Sequence, residues 1–250
     1  MQQFFLSERL AVGQKVTFPA ETERQLRQVL RVRGGESVRL VDTEGKAFLA
    51  HLTVSRKFVG AECVVVLKEK RELDSPLILA PARIKKEKWE WLLQKATELG
   101  VTAIQPLVTD RVNEAEPTPN RLIRWRRILQ EAAEQCERHR IPLLQETLTL
   151  DALLTLLRES PDQYGIVLAE RQEEKAPSLS EVLKQVAPGR TIVLVVGPEG
   201  GFSPDEFARF ADSGLPFASL GPRILRAETA AILSAGMTAQ WLETNGRDRM

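Results

Sequence analysis

The sequence contains few of the residues that bind metals or form disulfides. Its 250 residues include two cysteines, Cys63 and Cys136, and two histidines, His51 and His139. Zinc sites in proteins use several Cys or His ligands at short spacings, so this composition argues against a zinc site. Two cysteines far apart in the chain also do not make the disulfide framework of a small secreted protein. We therefore expect no metal and a reduced, cytoplasmic location.

Long apolar runs and a strong net charge are also missing. The longest apolar runs are about five to six residues, too short for a membrane span, and the N-terminus lacks the basic start of a secretory signal. The formal net charge is only +1, but residues 1–72 carry 13 Lys or Arg against 9 Asp or Glu, and the remainder carries 22 against 25. This asymmetry is weak support for a polyanion-binding module in the N-terminal part.

A glycine-rich loop follows the most apolar run of the chain. The run Ile192–Val196 (IVLVV) is rich in β-branched residues and predicts a strand buried on both faces of a parallel sheet. It ends in residues 197–201 (GPEGG), whose glycines allow positive φ and close approach of a ligand. Ser203, Pro204 and Glu206 then form the pattern of a capped helix start. This order predicts a ligand site at the carboxyl end of the strand.

A second loop, residues 219–229 (SLGPRILRAET), leads into a predicted helix, 230–242, that is rich in small residues. Small residues let such a helix pack closely against a sheet or a second subunit. Taken singly, each loop is equally compatible with a tight turn before an ordinary core helix. Neither loop has the glycine spacing of a dinucleotide-binding fingerprint or the Lys-Ser/Thr of a P-loop.

The two loops together are more specific than either alone. GPEGGFS, followed about twenty residues later by LGPRILRAETA, closely resembles the RsmE family of SPOUT methyltransferases. The resemblance continues at residues 90–101 (EWLLQKATELGV) and 133–138 (AEQCER). It implies methylation of N3 of one uridine in 16S rRNA, with S-adenosylmethionine as the cofactor. It also implies a SPOUT-type α/β fold with a parallel sheet and a C-terminal trefoil knot, a PUA-like RNA-binding β-barrel at the N-terminus, and a homodimer.

Turn residues and periodicity predict the domain organisation. Residues 1–72 alternate short β-rich runs with turns around one short helix, 22–32, which predicts a small β domain. Residues 73–76 (LDSP) are the predicted linker, and strands alternate with helices over residues 77–243, which indicates an α/β domain with a parallel sheet. Residues 244–250 are predicted to be a polar tail.

The resemblance implies that backbone groups of the two loops hold the cofactor. The predicted cofactor-binding residues are Gly197, Pro198, Glu199, Gly200, Gly201, Leu220, Gly221, Ile224, Leu225, Glu228 and Thr229. Two interpretations of Glu199 are open: it faces the sulfonium or a ribose hydroxyl, or it is an acid that merely favours a helix N-terminus. Glu228 and Thr229 have the alternative role of capping the following helix.

Removal of the N3 proton leaves negative charge on the uridine ring, which arginine donors can stabilise. The predicted catalytic residues are Arg223 and Arg226. Arg223 is the leading candidate because its place in LGPR matches the family's active-pocket arginine. The sequence offers no suitable histidine as a general base, so water or a carboxylate is expected to take the proton.

RNA contacts are predicted from a basic cluster and from family positions. The predicted substrate-binding residues are Arg24, Arg27, Arg31, Arg111, Gln135 and Arg138. The first three cluster on the predicted helix 22–32, where a solvated basic face is the alternative to phosphate contact. The sequence departs from the family pattern at seven positions: Gln2, Gln3, Gln25, Lys86, Val112, Cys136 and Glu137.

Two questions remain open at the level of sequence. Trp125 lies in the basic run 121–127 and either stacks on a base or, as its helical spacing favours, belongs to the core. The function has two alternatives, a non-enzymatic RNA-binding protein or a SPOUT methyltransferase that acts on tRNA. Intact cofactor loops argue against the first, and the PUA-like domain and the ELGV segment argue against the second.

Overall fold

The computed structural model of the chain describes residues 1–169 and 176–247, without the side chains of residues 246 and 247. It divides into two compact units. The first unit comprises Met1–Glu72 and Ala133–Arg140, and the second comprises Leu73–Ala132 and Ile141–Met250. Residues 133–140 therefore belong with the N-terminal part and not, as the predicted bounds 77–243 imply, with the α/β domain. One contact that ties residues 133–140 to the N-terminal part is a hydrogen bond of 2.6 Å, which the side-chain amide of Gln3 donates to the carbonyl of Arg138.

The first unit is built on a five-stranded sheet with the order β1-β3-β4-β5-β2. Its elements in chain order are β1 Gln3–Phe5, β2 Lys15–Thr17, α1 Ala20–Arg24, β3 Ser37–Val41, β4 Ala47–Val54 and β5 Val59–Leu67. Strand β1 runs parallel to β3, and the remaining pairs are antiparallel. Strand β1 has only three residues, which are too few to show an alternating pattern in the sequence.

The predicted helix over residues 22–32 is shorter than expected and irregular. Helix α1 passes into a π-helical turn at Gln25–Val29 that buries Leu26, and Arg31 adopts a left-handed φ of 50°. Phe4 and Phe18 meet edge to face in the same core, with ring centroids 5.4 Å apart. The basic segment 22–32 is therefore attached to the first unit by the buried side chain of Leu26 and not by a regular helix.

A network of charges lies within the first unit. Arg39 is 3% exposed, and its guanidinium donates to Glu69 at 2.8 Å and lies 3.5 Å from Glu137. Hydrogen bonds from Arg39 and Arg71 lower the pKa of Glu69 to about 2. Glu137 adopts a left-handed φ of 59°, a conformation that favours glycine. The ion pairs of Glu137 with Arg39 and Arg71 offset that strain.

His139 lies in a charged segment of the sequence but is not fully solvated. It is half-buried, and its Nε2 atom is buried with no hydrogen-bond partner among the described residues. This burial is the main reason that the pKa of His139 lies below its ordinary value. The neutral imidazole is therefore the favoured form at neutral pH.

The second unit is built on a six-stranded, wholly parallel sheet with the order β13-β11-β12-β6-β7-β9. The six strands are β6 Leu77–Pro81, β7 Ala103–Ile104, β9 Leu143–Leu144, β11 Gln163–Leu168, β12 Thr191–Val196 and β13 Phe217–Ala218. Two further strands, β8 Leu107–Val108 and β10 Leu148–Thr149, form a separate two-stranded parallel sheet. The helices are α2 Lys86–Glu98, α3 Pro119–Gln135, α4 Leu150–Glu159, α5 Leu179–Leu183, α6 Pro204–Asp212 and α7 Ala227–Arg247. These elements confirm the predicted α/β class and its parallel sheet.

Strand β12 is buried along its length between β11 and β6, as its apolar sequence predicts. Alternate residues of β12 face two cores: Ile192 and Leu194 pack with α2, α5 and α7, and Val193 and Val195 pack with α4 and α6. A strand that is covered on both faces has no room for polar side chains. The carboxyl end of β12 is consequently held rigidly at the place where the glycine loop begins.

Two corrections concern the ends of the predicted α/β domain. The predicted linker 73–76 is packed in the second unit, since Ser75 is buried and the side chain of Leu73 lies against Gly100. The predicted polar tail begins too early, because α7 continues to Arg247. Thr244 and Asn245 donate side-chain hydrogen bonds to the carbonyls of Gln240 and Trp241, at 2.8 Å each. Residues 248–250 of the predicted tail lie outside the described residues.

Trp125 belongs to the core, as its helical spacing favours, and the base-stacking alternative is wrong. Trp125 is 2% exposed and its ring centroid lies 5.4 Å from that of Trp89 in α2.

Over residues 1–169 and 176–247, no helix is long and apolar enough to cross a membrane. The same ranges contain no cluster of three or more His, Cys, Asp or Glu side chains that could hold a metal ion.

Candidate functional site

The glycine loop 197–201 connects β12 to α6, and its geometry follows from both neighbours. Ser203 accepts a hydrogen bond from the amide of Glu206 at 3.2 Å, and Glu206 accepts one from the amide of Ser203 at 2.7 Å. This confirms the capping box that the sequence predicts. Gly197 lies close to the ring of Phe202, and a Cβ atom at this position would lie only 3.3 Å from that ring.

The second loop, residues 219–226, connects β13 to α7. Gly221 adopts a φ of 110°, and its amide donates to the Ser219 hydroxyl at 3.1 Å. The amide of Ala230 donates to the carbonyl of Arg226 at 2.8 Å, which begins the helical pattern of α7. Between these points Arg223 and Arg226 are exposed, so both guanidinium groups are accessible.

The two loops form the walls of one cavity of about 610 Å³. The predicted cofactor and catalytic residues that line it are Gly197, Pro198, Glu199, Gly200, Gly201, Leu220, Gly221, Arg223, Ile224, Leu225 and Arg226. Glu228 and Thr229 do not line it; Glu228 is buried behind the wall and Thr229 is exposed. The tertiary structure thus brings together nearly all of the residues that the two loops contribute.

The shape and chemistry of the cavity suit an extended small molecule with polar and apolar parts. Gly201 and Gly221 have positive φ angles of 68° and 110°, and a Cβ atom at either would meet no atom within 4 Å. Their backbone therefore faces open space that a ligand can approach closely. Apolar side chains such as Val196, Phe202 and Phe207 complete the lining. Backbone donors and acceptors beside an apolar wall are typical of a cofactor site.

Arg111, which is a predicted RNA contact, also lines this cavity. It follows β8, and its Nη1 atom donates to the carbonyl of Gly200 at 2.8 Å. The preceding residue, Asp110, is tied to the start of α6: its amide donates to Glu206 at 2.9 Å, and its carboxylate accepts from Ser203 at 2.5 Å. Glu206 is 1% exposed, and its two carboxyl oxygens accept hydrogen bonds from the amides of Asp110 and Ser203.

Lys88, in the first turn of α2, is a lining residue that the sequence analysis did not single out. Its ammonium lies 3.2 Å from the carboxylate of Glu228 and 3.8 Å from that of Glu199. Glu199 also accepts a hydrogen bond of 3.4 Å from the amide of Lys85. Of the two interpretations of Glu199, these contacts favour the one in which it stabilises the N-terminus of a helix, although the helix is α2 rather than α6.

Comparison with known proteins identifies the family. The profile of the family described as RNA methyltransferase domain matches residues 71–239. Ribosomal RNA small subunit methyltransferase E of Synechocystis is 33% identical over 247 residues, which cover 96% of this chain and 80% of the relative. This chain belongs to the ribosomal RNA small subunit methyltransferase E family. The family member from Bacillus subtilis is 27% identical over 240 residues, 93% of either chain.

Solved structures agree with this membership. Ribosomal RNA small subunit methyltransferase E from Neisseria gonorrhoeae, bound to S-adenosyl methionine, has a TM-score of 0.85 and 31% identity, covering 96% of this chain and 98% of that one. A methyltransferase from Legionella pneumophila, in complex with the cofactor SAM, has a TM-score of 0.82 and 31% identity, covering 96% of each chain. The similarity extends over both units of this chain.

The other predicted RNA contacts of this methyltransferase family member lie in the first unit. Arg24, Arg31 and Gln135 are exposed, and Arg27 is half-buried with its guanidinium 2.9 Å from Glu23. Arg138 is 3% exposed, and its guanidinium donates to Glu72 at 2.6 Å. This burial argues against an RNA contact by Arg138 and gives it a role in joining residues 133–140 to the N-terminal part.

Proposed function

We propose that this protein transfers a methyl group from S-adenosylmethionine to N3 of one uridine in small-subunit (16S) rRNA. The observation that carries the proposal is the cavity between the GPEGG and LGPRILR loops, in a chain whose relatives are small-subunit rRNA methyltransferases. Two structural neighbours with 31% identity were crystallised with S-adenosylmethionine. The positive-φ glycines and the apolar lining fit the same cofactor here.

The loop backbones at residues 197–201 and 220–225 would hold the cofactor. S-adenosylmethionine, when bound, supplies an electrophilic methyl group on a positively charged sulfur. The chain's own contribution is to align the base with that group, since a displacement requires a linear arrangement of acceptor, carbon and leaving atom. A glycine loop on a rigid, doubly covered strand is suited to this alignment because its position varies little.

Arg223 and Arg226 are the proposed catalytic residues. Both are exposed and line the cavity, so either guanidinium can reach a base placed there. N3 of uridine must lose a proton, and the negative charge then spreads to O2 and O4, where arginine donors stabilise it. The carboxylates of Glu199 and Glu228 are already paired with Lys88. Water is therefore the favoured proton acceptor.

The base must also be brought to the cavity unpaired, because N3 is hidden in a base pair. We propose that the first unit is a PUA-like barrel that binds the rRNA backbone, with exposed Arg24 and Arg31 on its basic segment.

We also propose that the C-terminal segment of the second unit forms a trefoil knot, as in SPOUT methyltransferases. A crystal structure in which the C-terminal segment does not pass through a loop of the chain would contradict the knot. A substrate in the ribosome implies a cytoplasmic location.

The decisive experiment is to incubate the protein with methyl-labelled S-adenosylmethionine and unmodified small ribosomal subunits, and then to map the label by mass spectrometry. We expect N3-methyluridine at one position of 16S rRNA. In a parallel incubation with unmodified tRNA, label in the tRNA and none in the subunits would favour the tRNA methyltransferase alternative. Binding of rRNA without either label or cofactor binding would favour a non-enzymatic RNA-binding protein.

We expect this protein to be a homodimer. Helix α7 carries the partly exposed apolar residues Leu233, Met237 and Trp241 among small residues, a surface that suits close packing against a second copy. Sedimentation equilibrium at micromolar concentration should give the mass of two chains, about twice 28.1 kDa. A single-chain mass at that concentration would contradict the prediction.

A further inference from the structure

Lys88 occupies a position that local sequence preferences disfavour. Lys85 is the N-cap residue of α2, and Lys86 and Lys88 follow in its first turn, with Glu87 between them. The N-terminal end of a helix carries partial positive charge, so cations there are unfavourable and anions are favourable. Lys85 also provides no side-chain cap. A lysine in the first turn of a helix therefore indicates either a compensating contact elsewhere in the fold or a functional role.

The compensation comes from two distant carboxylates. Glu199 belongs to the first cofactor loop and Glu228 to the first turn of α7, and both lie within ion-pair distance of the Lys88 ammonium. Glu228 is 8% exposed, and its Oε2 atom is buried with no hydrogen-bond partner in the part of the chain that the structure describes. A carboxylate so poorly solvated depends strongly on its cation.

Lys88 therefore connects the two walls of the cavity. The Glu199 contact fixes the loop after β12, and the Glu228 contact fixes the helix that follows the LGPRILR loop. Lys88 also lines the cavity itself, so its charge acts on whatever is bound there. The chemistry of the proposed reaction makes this charge important, because the cofactor carries a sulfonium cation and the product carries a neutral thioether.

We propose that Lys88 is a positioning residue that joins Glu199 to Glu228 and sets the relative affinity of the cavity for S-adenosylmethionine and S-adenosylhomocysteine. This inference rests on the proposed function. The positive charge of Lys88 balances the two carboxylates and keeps the cationic cofactor from binding much more tightly than the neutral product. Without it, the two unbalanced carboxylates favour the cation selectively, and the two walls are no longer held together.

The test is isothermal titration of the purified full chain with S-adenosylmethionine and, separately, with S-adenosylhomocysteine. For Lys88→Met we expect weaker binding of both ligands, since the walls lose their connection. We also expect the ratio of the S-adenosylhomocysteine Kd to the S-adenosylmethionine Kd to rise about fivefold, because one nearby positive charge has been removed. A merely structural defect would weaken both ligands equally and leave the ratio unchanged.

Three variants serve as controls. Lys88→Arg keeps the charge and should keep the ratio within about twofold of wild type. Lys86→Met removes the same charge from an exposed side chain of the same helical turn, and it should change neither Kd by more than about twofold. Glu228→Gln removes a negative charge instead, so the ratio should fall, and this variant tests the proposal even if Lys88→Met does not fold.

The outcomes separate the inference from the proposed function. A wild-type ratio in both Lys88→Met and Glu228→Gln, with wild-type protein binding both ligands, would overturn the role of Lys88 alone. An equal change in Lys86→Met would also overturn it, since the effect would then come from general charge. Failure of the wild-type protein to bind either ligand would overturn the proposed function, and the inference with it.

Discussion

Replacing Arg223 by alanine is expected to lower the rate of methyl transfer by about 10²- to 10³-fold, the usual effect of removing one donor that stabilises a developing anion. Arg223 lies in the LGPR loop, is exposed and lines the cavity. The uridine ring is most negative when its proton has left N3, so the arginine contributes more to the transition state than to the bound substrate. The loss should therefore appear in kcat rather than in the KM for RNA.

Cofactor binding provides the internal control for this prediction. The loop backbone at Gly221 and Leu225 does not depend on the Arg223 guanidinium, so the Kd for S-adenosylmethionine should stay within about threefold of wild type. Arg223→Lys keeps the charge but not the planar pair of donors, and it should restore only part of the rate. A loss below about tenfold in single-turnover methylation would make Arg226 the principal donor instead.

Replacing Trp89 by alanine is expected to destabilise the second unit by about 3–5 kcal/mol, the range for large buried aromatic residues. Trp89 is 1% exposed and packs against Trp125, with ring centroids 5.4 Å apart at an interplanar angle of 46°. These rings join α2 to α3, so the cavity left by alanine would remove the central contact between the two helices. Urea unfolding followed by near-ultraviolet circular dichroism and hydrogen exchange of the second unit would measure the change.

Two variants of the same helix make this measurement interpretable. Trp91 is 46% exposed, and Trp91→Ala should change stability by less than about 0.5 kcal/mol. The Nε1 atom of Trp89 is buried without a hydrogen-bond partner among the described residues, so Trp89→Phe removes an unfavourable polar group while keeping an aromatic ring. That variant should lose far less stability than Trp89→Ala. Equal losses for Trp91→Ala and Trp89→Ala would show that packing with Trp125 is not the cause.

The departures from the family pattern gain a physical explanation only from tertiary contacts. The side-chain amide of Gln3 donates a hydrogen bond to the carbonyl of Arg138. Glu137 occupies a left-handed position where glycine is usual, and it pairs with Arg39 and Arg71. Lys86 is an exposed side chain at the start of α2. Nothing in the structure explains Val112.

Some features of this protein were determined by short stretches of sequence. The β-branched run 192–196 became a doubly buried parallel strand, and Ser203 and Glu206 formed the capping box that their spacing predicts. The helical spacing around Trp125 indicated a core residue. These features depend on periodicity and on bonds between residues three or four apart, which a short segment specifies by itself. The two loops likewise carried the family resemblance in their order of residues.

Other features were decided by the path of the chain. Arg111 reaches Gly200 across 89 residues, and the amide of Lys85 reaches Glu199 across 114. Arg138, which was predicted to contact RNA, is buried against Glu72, 66 residues away. The first two contacts form because parallel strands bring their carboxyl ends together from distant parts of the chain, and the third forms because residues 133–140 pack with the N-terminal part. Local propensity contains no information about which distant segments will meet. The sequence alone therefore determined the loops that line the cofactor cavity, whereas the charges that join and surround them were decided by the tertiary structure.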